Sequence, residues 1–500
     1  MAPGILSEEN GHGHPSYPVS PAESTNGWHS PAMRDGSPSA TSTFSLPTPD
    51  SNEIHDLVCV GFGPASLAIA VALHDSLQLQ ESAGPRARPK VRFLERQGAF
   101  KWHAGMLLPG AKMQISFIKD LATLRDPTSH FTFLNYLKKH NRLVQFSNLG
   151  TFLPSRLEFD DYLQWAASHF ENIVEYSQEV ESILPHKREG AQKYDSFEIV
   201  SRNLSTGSTL RLLSRHVVIA AGGRPAKPAV FPPYHDRILH SSEYNTRIER
   251  LLSNKDGAYH VAVVGGGQSA AEVFCNLHSR YPNASTKLIF RDSSLRPSDD
   301  SPFVNEVFNP EAVDAFYGQP ENLRSANLKK NKATNYSVVR LELLEKMYDE
   351  LYLQGIKQPD KARWRHQVLP LREISDVVDN GPNERVDLIL RNLDPLSKNG
   401  KEVLSFDAVI VATGYRRDAH VDMLKTCQSI NADPTGRWQA GRDYGLELDR
   451  AAIEDATGIW LQGCNEETHG LSDTLLSILS TRSGELVDSI FGATLKSNIS

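Results

Sequence analysis

Two stretches about 200 residues apart repeat one grammar, and the repetition limits the folds open to this chain. The first runs Val58-Cys59-Val60-Gly61-Phe62-Gly63-Pro64-Ala65-Ser66, the second Val263-Val264-Gly265-Gly266-Gly267-Gln268-Ser269-Ala270. Each carries an apolar run, His55 to Val60 or His260 to Val264, into a glycine-rich turn and then a helix-forming sequence. Glycines permit the sharp turn and a close backbone approach, and the following helix presents its first N–H groups to a pyrophosphate. Small residues, Ser66 and Ala270, stand where the motif has its third glycine. A single copy reads equally well as a plain strand-to-helix turn. Two copies predict an α/β chain with two Rossmann-like dinucleotide-binding domains and a smaller helical substrate region.

The residue ending the next strand indicates which dinucleotide each turn holds. An acid there binds a ribose diol, and a base accommodates a 2′-phosphate. Pro89 to Glu95 reads as a strand ending in Glu95, and Thr286 to Arg291 as one ending in Arg291. The first site therefore fits FAD and the second NADPH. Gly63 and Glu95 are further apart than the usual ~20 residues, and the insertion Gly84 to Pro89 accounts for the excess. Arg291 also reads as a solvated strand-end charge.

With 500 residues and a formal net charge of −7, the chain is long enough for two or three domains with real cores. The mild acidic excess, with no basic cluster interleaved with aromatics, argues against nucleic-acid binding. No apolar run approaches the ~20 residues that cross a bilayer, and the N-terminus lacks a charged-then-apolar signal pattern, so no membrane association is expected. Cys59, Cys275, Cys427 and Cys464 lie far apart, form no C-x-x-C pair, and read as reduced, packed thiols of a cytoplasmic protein. No metal site is expected, since His12 and His14 fall in a polar tail.

Composition and periodicity predict a disordered tail over 1–51, a first part of the FAD domain over 52–257, and an NADPH domain over 258–405 with a helical insertion at about 296–355. A second part of the FAD domain follows over 406–490, then a C-terminal tail over 491–500. Helices are expected at Phe131 to Leu137, Phe159 to Ala166 and Leu341 to Leu353. Glu198 to Val200 and Leu210 to Leu213 read as a hairpin, and His216 to Gly223 as a separate strand. Phe406 to Tyr415 reads as a strand returning to the first sheet, and Gly458 to Gly463 as the last strand. A helix from Leu475 then presents a partial positive charge suited to a reduced flavin ring.

Four segments carry a resemblance: Lys112-Met113-Gln114-Ile115-Ser116-Phe117-Ile118-Lys119-Asp120 and its continuation to Pro127, Arg296 to Glu306, Ala333 to Arg340, and Ala412 to Tyr415. The chain resembles the flavin-dependent N-hydroxylating monooxygenases, most closely the fungal L-ornithine N5-monooxygenases that open hydroxamate-siderophore synthesis. The likeness spans 52 to about 490. It implies that FAD meets Gly61, Gly63, Pro64, then Glu95, Arg96, Gln97, Gly98, Ala99, Phe100, Lys101, Trp102 and His103, with Met113, Gln114, Val180, Ser472, Asp473 and Thr474 at the flavin. It implies that NADPH meets Gly266, Gly267, Gln268, Ser269, Arg291, Asn335, Tyr336 and Ser337. Ornithine would meet Lys119, Asn305, Glu306, Val307, Phe308, Asn335 and Leu475. Plainer readings stand beside these: Lys119 as a snorkelling surface lysine, Asn305 and Asn335 as turn or cap residues, Glu306 as a helix-start acid.

The resemblance further implies NADPH- and O2-dependent N5-hydroxylation of L-ornithine through a C4a-hydroperoxyflavin, by a homotetramer. No side chain is assigned as catalytic, because the flavin carries the chemistry. The alternatives are an L-lysine N6-hydroxylase or another flavin monooxygenase acting on an amine, and, last, a flavin-binding module without turnover, against which the complete second nucleotide site weighs. A Baeyer-Villiger pattern survives only at His240, and a disulfide reductase lacks its cysteine pair.

Overall fold

A computed structural model describes residues 46, 53–81, 88–381, 384–396 and 400–496. Of the expected tail, only Leu46 falls among them. It is buried in the first core, and its carbonyl accepts from Asn172 Nδ2 at 2.8 Å. Most of the 84–89 insertion also lies outside the described residues.

The strands of the first half are β1 (His55–Val60), β2 (Val91–Leu94), β3 (Val174–Glu175), β4 (Gln178–His186), β5 (Ser196–Asn203) and β6 (Thr209–Ile219). They form one sheet in the order β3-β2-β1-β6-β5-β4. β1 is buried on both faces, which is why its residues run apolar without alternation. β6 serves two partners. Its first half pairs antiparallel with β5 and its second half parallel with β1, so the expected hairpin strand and the strand at 216 are one.

The chain then runs through β7 (Arg224–Pro225), β8 (Ile238–His240), β9 (His260–Val264), β10 (Ser285–Ile289), β11 (His366–Leu369), β12 (Arg372–Asp379), β13 (Val386–Asn392), β14 (Lys401–Phe406), β15 (Ala408–Val411), β16 (Tyr415–Arg416) and β17 (Gly458–Leu461). A second, parallel sheet has the order β11-β10-β9-β15-β8. The strand at 408–411 was expected in the first sheet and lies in the second, between β9 and β8. Its four residues are wholly buried, and parallel pairing to β9 satisfies their backbone groups. β8 also belongs to this sheet, although it precedes the second turn in sequence. The return to the first sheet is made by β17, which pairs with β6. Strands β12, β13 and β14 form an antiparallel sheet whose Val386, Leu388 and Leu390 pack on the second sheet.

Helix Pro64–Glu81 follows the first turn and Gln268–Arg280 the second. The expected helices appear as Phe133–Lys139, Arg156–Ala167 and Leu341–Lys357. Ser155 caps the second of these by accepting from Glu158 N. The final helix starts at Leu479, because 3-10 turns fill Leu471–Thr474 and Leu476–Ile478. It runs to Lys496 and buries Phe491 in the first core, so 491–496 is helix and not tail. Among the described residues no helix is long and apolar enough to cross a membrane.

Candidate active site

Each turn depends on a glycine in a left-handed or extended-positive conformation. Gly61 has φ +91°, and a Cβ there would sit 2.6 Å from the Ala220 carbonyl oxygen. Gly265 has φ +139°, and its Cβ would sit 2.4 Å from the Ala412 oxygen. The turns thus press against the neighbouring strand ends, where no side chain fits. Gly63 faces open space instead, with nothing within 4 Å of its Cβ position. At the second turn Gly267 caps the helix without a side-chain bond, which leaves its first N–H groups free for an anion. Both turns fit a dinucleotide.

Glu95 follows β2, is 7% exposed, and faces the first turn: Oε2 accepts from Phe62 N at 2.7 Å and Oε1 from Gln97 N at 2.8 Å. Each carboxylate oxygen has further acceptor capacity, so the acid is held in place and can still receive a ribose hydroxyl. Arg291 lies two residues past β10, is exposed, and has no hydrogen-bond or ion-pair partner among the described residues. Its cation is available to a phosphate.

A cavity of about 1350 Å³ extends from Gly63 and Pro64 to Gly266, Gly267, Gln268 and Ser269. Single-ligand pockets are usually ~300–1,000 Å³, so this one has room for more than one occupant. Met113, Gln114 and Lys119 enter it from a loop that is tied down twice. Met113 N donates to Pro154 O and Phe117 N to Phe152 O, both at 2.9 Å. Beside Lys119, the buried Asp120 accepts from Ala122 N, Thr123 N, Thr123 Oγ1 and Phe133 N at 2.6–2.9 Å. Burial raises the Asp120 pKa against the pull of those donors.

The helical insertion brings Asn305, Phe308, Asn335, Tyr336 and Ser337 to the same cavity, and the stretch after β17 brings Asp473, Thr474 and Leu475. Asn305 Nδ2 donates to Asp300 O at 3.0 Å, as in the turn-residue reading, and its amide oxygen accepts no bond among the described residues. Tyr336 hydrogen-bonds Glu466, and burial together with that carboxylate pushes its hydroxyl up to about 12. Trp102 and His103 line the cavity as well. Burial, with Arg156 and Arg417 nearby, lowers His103 to about 4.

Other expected residues lie elsewhere. Gly61 and the run Glu95, Arg96, Gln97, Gly98, Ala99, Phe100 and Lys101 are outside the large cavity, on the side of the first turn that Glu95 faces. Val180 packs in the core on another face of the first sheet, Ser472 is buried without reaching the cavity, and Glu306 and Val307 do not line it.

Sequence reasoning missed the positive lining. Nine cationic side chains face the cavity against five carboxylates, in a chain whose net charge is −7. Arg156, Arg340 and Arg417 are among them. Arg156 is fixed by a two-pronged ion pair to Glu272, at 2.8 and 2.7 Å. Glu272 also accepts from Gln268, whose oxygen accepts Arg340 N at 2.9 Å. One network therefore joins the second turn to the helix that starts at Arg156.

Residues 53–417 match the family model described as L-lysine 6-monooxygenase/L-ornithine 5-monooxygenase. The chain belongs to this family. An L-ornithine N(5)-monooxygenase of Emericella nidulans is 53% identical over 463 residues, covering 91% of this chain and 93% of that protein. One from Burkholderia cepacia is 43% identical over 83% of this chain and 90% of its own. The ornithine hydroxylase PvdA from Pseudomonas aeruginosa has a TM-score of 0.79 at 37% identity, covering 88% of this chain and all of its own. The Kutzneria ornithine N-hydroxylase KtzI, solved with reduced FAD, NADP+ and L-ornithine, has a TM-score of 0.78 at 34% identity over 88% of this chain and 100% of its own.

Proposed function

We propose that this protein is an FAD-containing L-ornithine N5-monooxygenase that consumes NADPH and O2 in the first step of hydroxamate siderophore biosynthesis. One observation carries the reading. Lys119, Asn305, Asn335 and Leu475 line the same cavity as both dinucleotide turns, in a member of a family that hydroxylates diamino acids.

FAD, when bound, supplies the hydride acceptor and the centre that activates oxygen. The chain supplies the rest. The first turn and Glu95 hold the flavin dinucleotide, and the second turn with Arg291 holds NADPH through its 2′-phosphate. Lys119 pairs with the α-carboxylate of ornithine, and the Asn305 and Asn335 amides orient the rest of the substrate. The positive lining also acts on the reacting amine. An alkylammonium with a pKa of ~10.4 in water is destabilised by nearby cations and by loss of solvent, which favours the nucleophilic free base. Met113, Phe308 and Leu475 contribute apolar wall that limits water at the reacting centre.

Lysine is one methylene longer, a difference worth about 1–3 kcal/mol in an apolar pocket, and turnover of the two amino acids side by side measures the preference. The same reading carries a homotetrameric, cytoplasmic enzyme of iron homeostasis, and sedimentation of the holoenzyme reports its assembly. The direct test is formation of a hydroxylamine from L-ornithine by flavin-loaded protein with NADPH in air. Turnover that yields only NADP+ and hydrogen peroxide, by reduction of O2, at any ornithine concentration would count against it.

A further inference from the structure

Arg482 occupies a position where this fold calls for an apolar side chain. It is 2% exposed in the first turn of helix Leu479–Lys496, on the face that buries Leu479, Leu486 and Ile490. A buried guanidinium needs both its charge and its five N–H groups matched. Only one end is matched: Nη1 donates to the Asp473 carbonyl oxygen and, at 3.0 Å, to Asp473 Oδ1. Asp473 is fully buried, and its Oδ2 accepts from Asn465 N at 2.7 Å. The Nε–H of Arg482 is buried without an acceptor, and Nη2 has none among the described residues.

Two neighbours share this deficit. Gln462 Nε2 and Ser477 Oγ, on residues 3% exposed, have no partner either. Arg482, Asp473, Gln462 and Ser477 all line the large cavity beside Thr474 and Leu475. Three buried side chains with unused donors along one wall make a site for a group rich in acceptors.

We propose that Arg482, oriented by Asp473, contacts the flavin ring and stabilises the negative charge the ring gains on reduction. The proposal rests on the FAD reading above. Hydride transfer from NADPH delivers two electrons and one proton and leaves NADP+, so a ring that takes up no second proton is an anion. Charge placed near the ring is among the protein's levers on flavin electronics, and the Asp473 carboxylate offsets part of the arginine's effect.

The midpoint potential and the ionisation of the reduced flavin test this on the holoenzyme. Asp473→Asn removes the opposing charge and is expected to raise the potential. Arg482→Met in the Asp473→Asn background is expected to lower it below wild type by at least a tenfold preference, about 30 mV for a two-electron couple. Wild-type reduced flavin is expected to keep its anionic absorbance to a lower pH than free reduced FAD. Equal potentials in the three proteins, or reduced flavin that protonates at the pH of free FAD, overturn the proposal. If the variants shed flavin, the wild-type titration decides alone. A wild type that takes up no flavin contradicts the proposed function, not the role of Arg482.

Discussion

Lys119 is where a single side chain separates the two readings of its loop. Half-buried at the cavity wall, on a turn fixed by Asp120, it has no acidic partner among the described residues and is free to take a carboxylate. Lys119→Ala is expected to raise the apparent KM for ornithine at least tenfold, while flavin content and flavin reduction by NADPH stay near wild type. An unchanged ornithine dependence in steady-state assays would return it to a surface lysine. Arg291→Ala should weaken NADPH and leave NADH nearly as before, because only NADPH carries the 2′-phosphate; equal loss for both coenzymes contradicts that role. Glu95 and Arg291 were legible in sequence because each follows a strand that follows a glycine turn. Arg156, Arg340 and Arg417 were not, since they come from three distant stretches of the chain and nothing in their neighbouring residues shows that they face one cavity. Arg482 did leave a signal: it stands in register with Leu479, Leu486 and Ile490 on a buried helical face.

The two glycine turns and the clasp between them set the geometry at the level of elements. Gly61→Ala forces a Cβ to 2.6 Å from the Ala220 oxygen, and Gly265→Ala to 2.4 Å from the Ala412 oxygen, both at positive φ. The expected outcomes differ by site. The first variant loses flavin on purification, whereas the second retains flavin and loses NADPH binding, as absorbance and coenzyme titration would report; loss of the same ligand in both would contradict separate sites. Glu272→Ala leaves the half-buried Arg156 guanidinium with only its bond to the Met106 carbonyl, and should appear as a lower urea midpoint. The turns were readable because glycine and helix chemistry are local. Sheet membership was not: the apolar run at 408–411 is compatible with either sheet, and only long-range pairing to β9 decides between them. The split of β6 into two expected strands arose from Ser214 and Arg215, which interrupt an apolar pattern at the point where the strand changes partners.

Across the whole molecule, half-buried imidazoles make stability depend on pH. Burial lowers His130, His216 and His278 to about 4. In the unfolded chain these groups take up protons near ~6.5. Between those values the unfolded state binds more protons, so stability falls as pH drops from about 6.5 toward about 4 and levels off below, by at most ~1.4 kcal/mol per pH unit for each histidine. Urea unfolding at pH 7.5 and 5.5 checks this, and equal midpoints would contradict it. The overall plan of two nucleotide units with a helical insertion was legible because it repeats a local motif. The joint cavity was not, because it is lined from loops more than 300 residues apart, such as those of Lys119 and Leu475. All of it converges on oxygen transfer to the side-chain nitrogen of ornithine. Turnover of flavin-loaded protein with NADPH, L-ornithine and 18O2 measures that transfer: the account predicts N5-hydroxyornithine carrying one 18O atom, and NADPH oxidised without a labelled amino acid would contradict it.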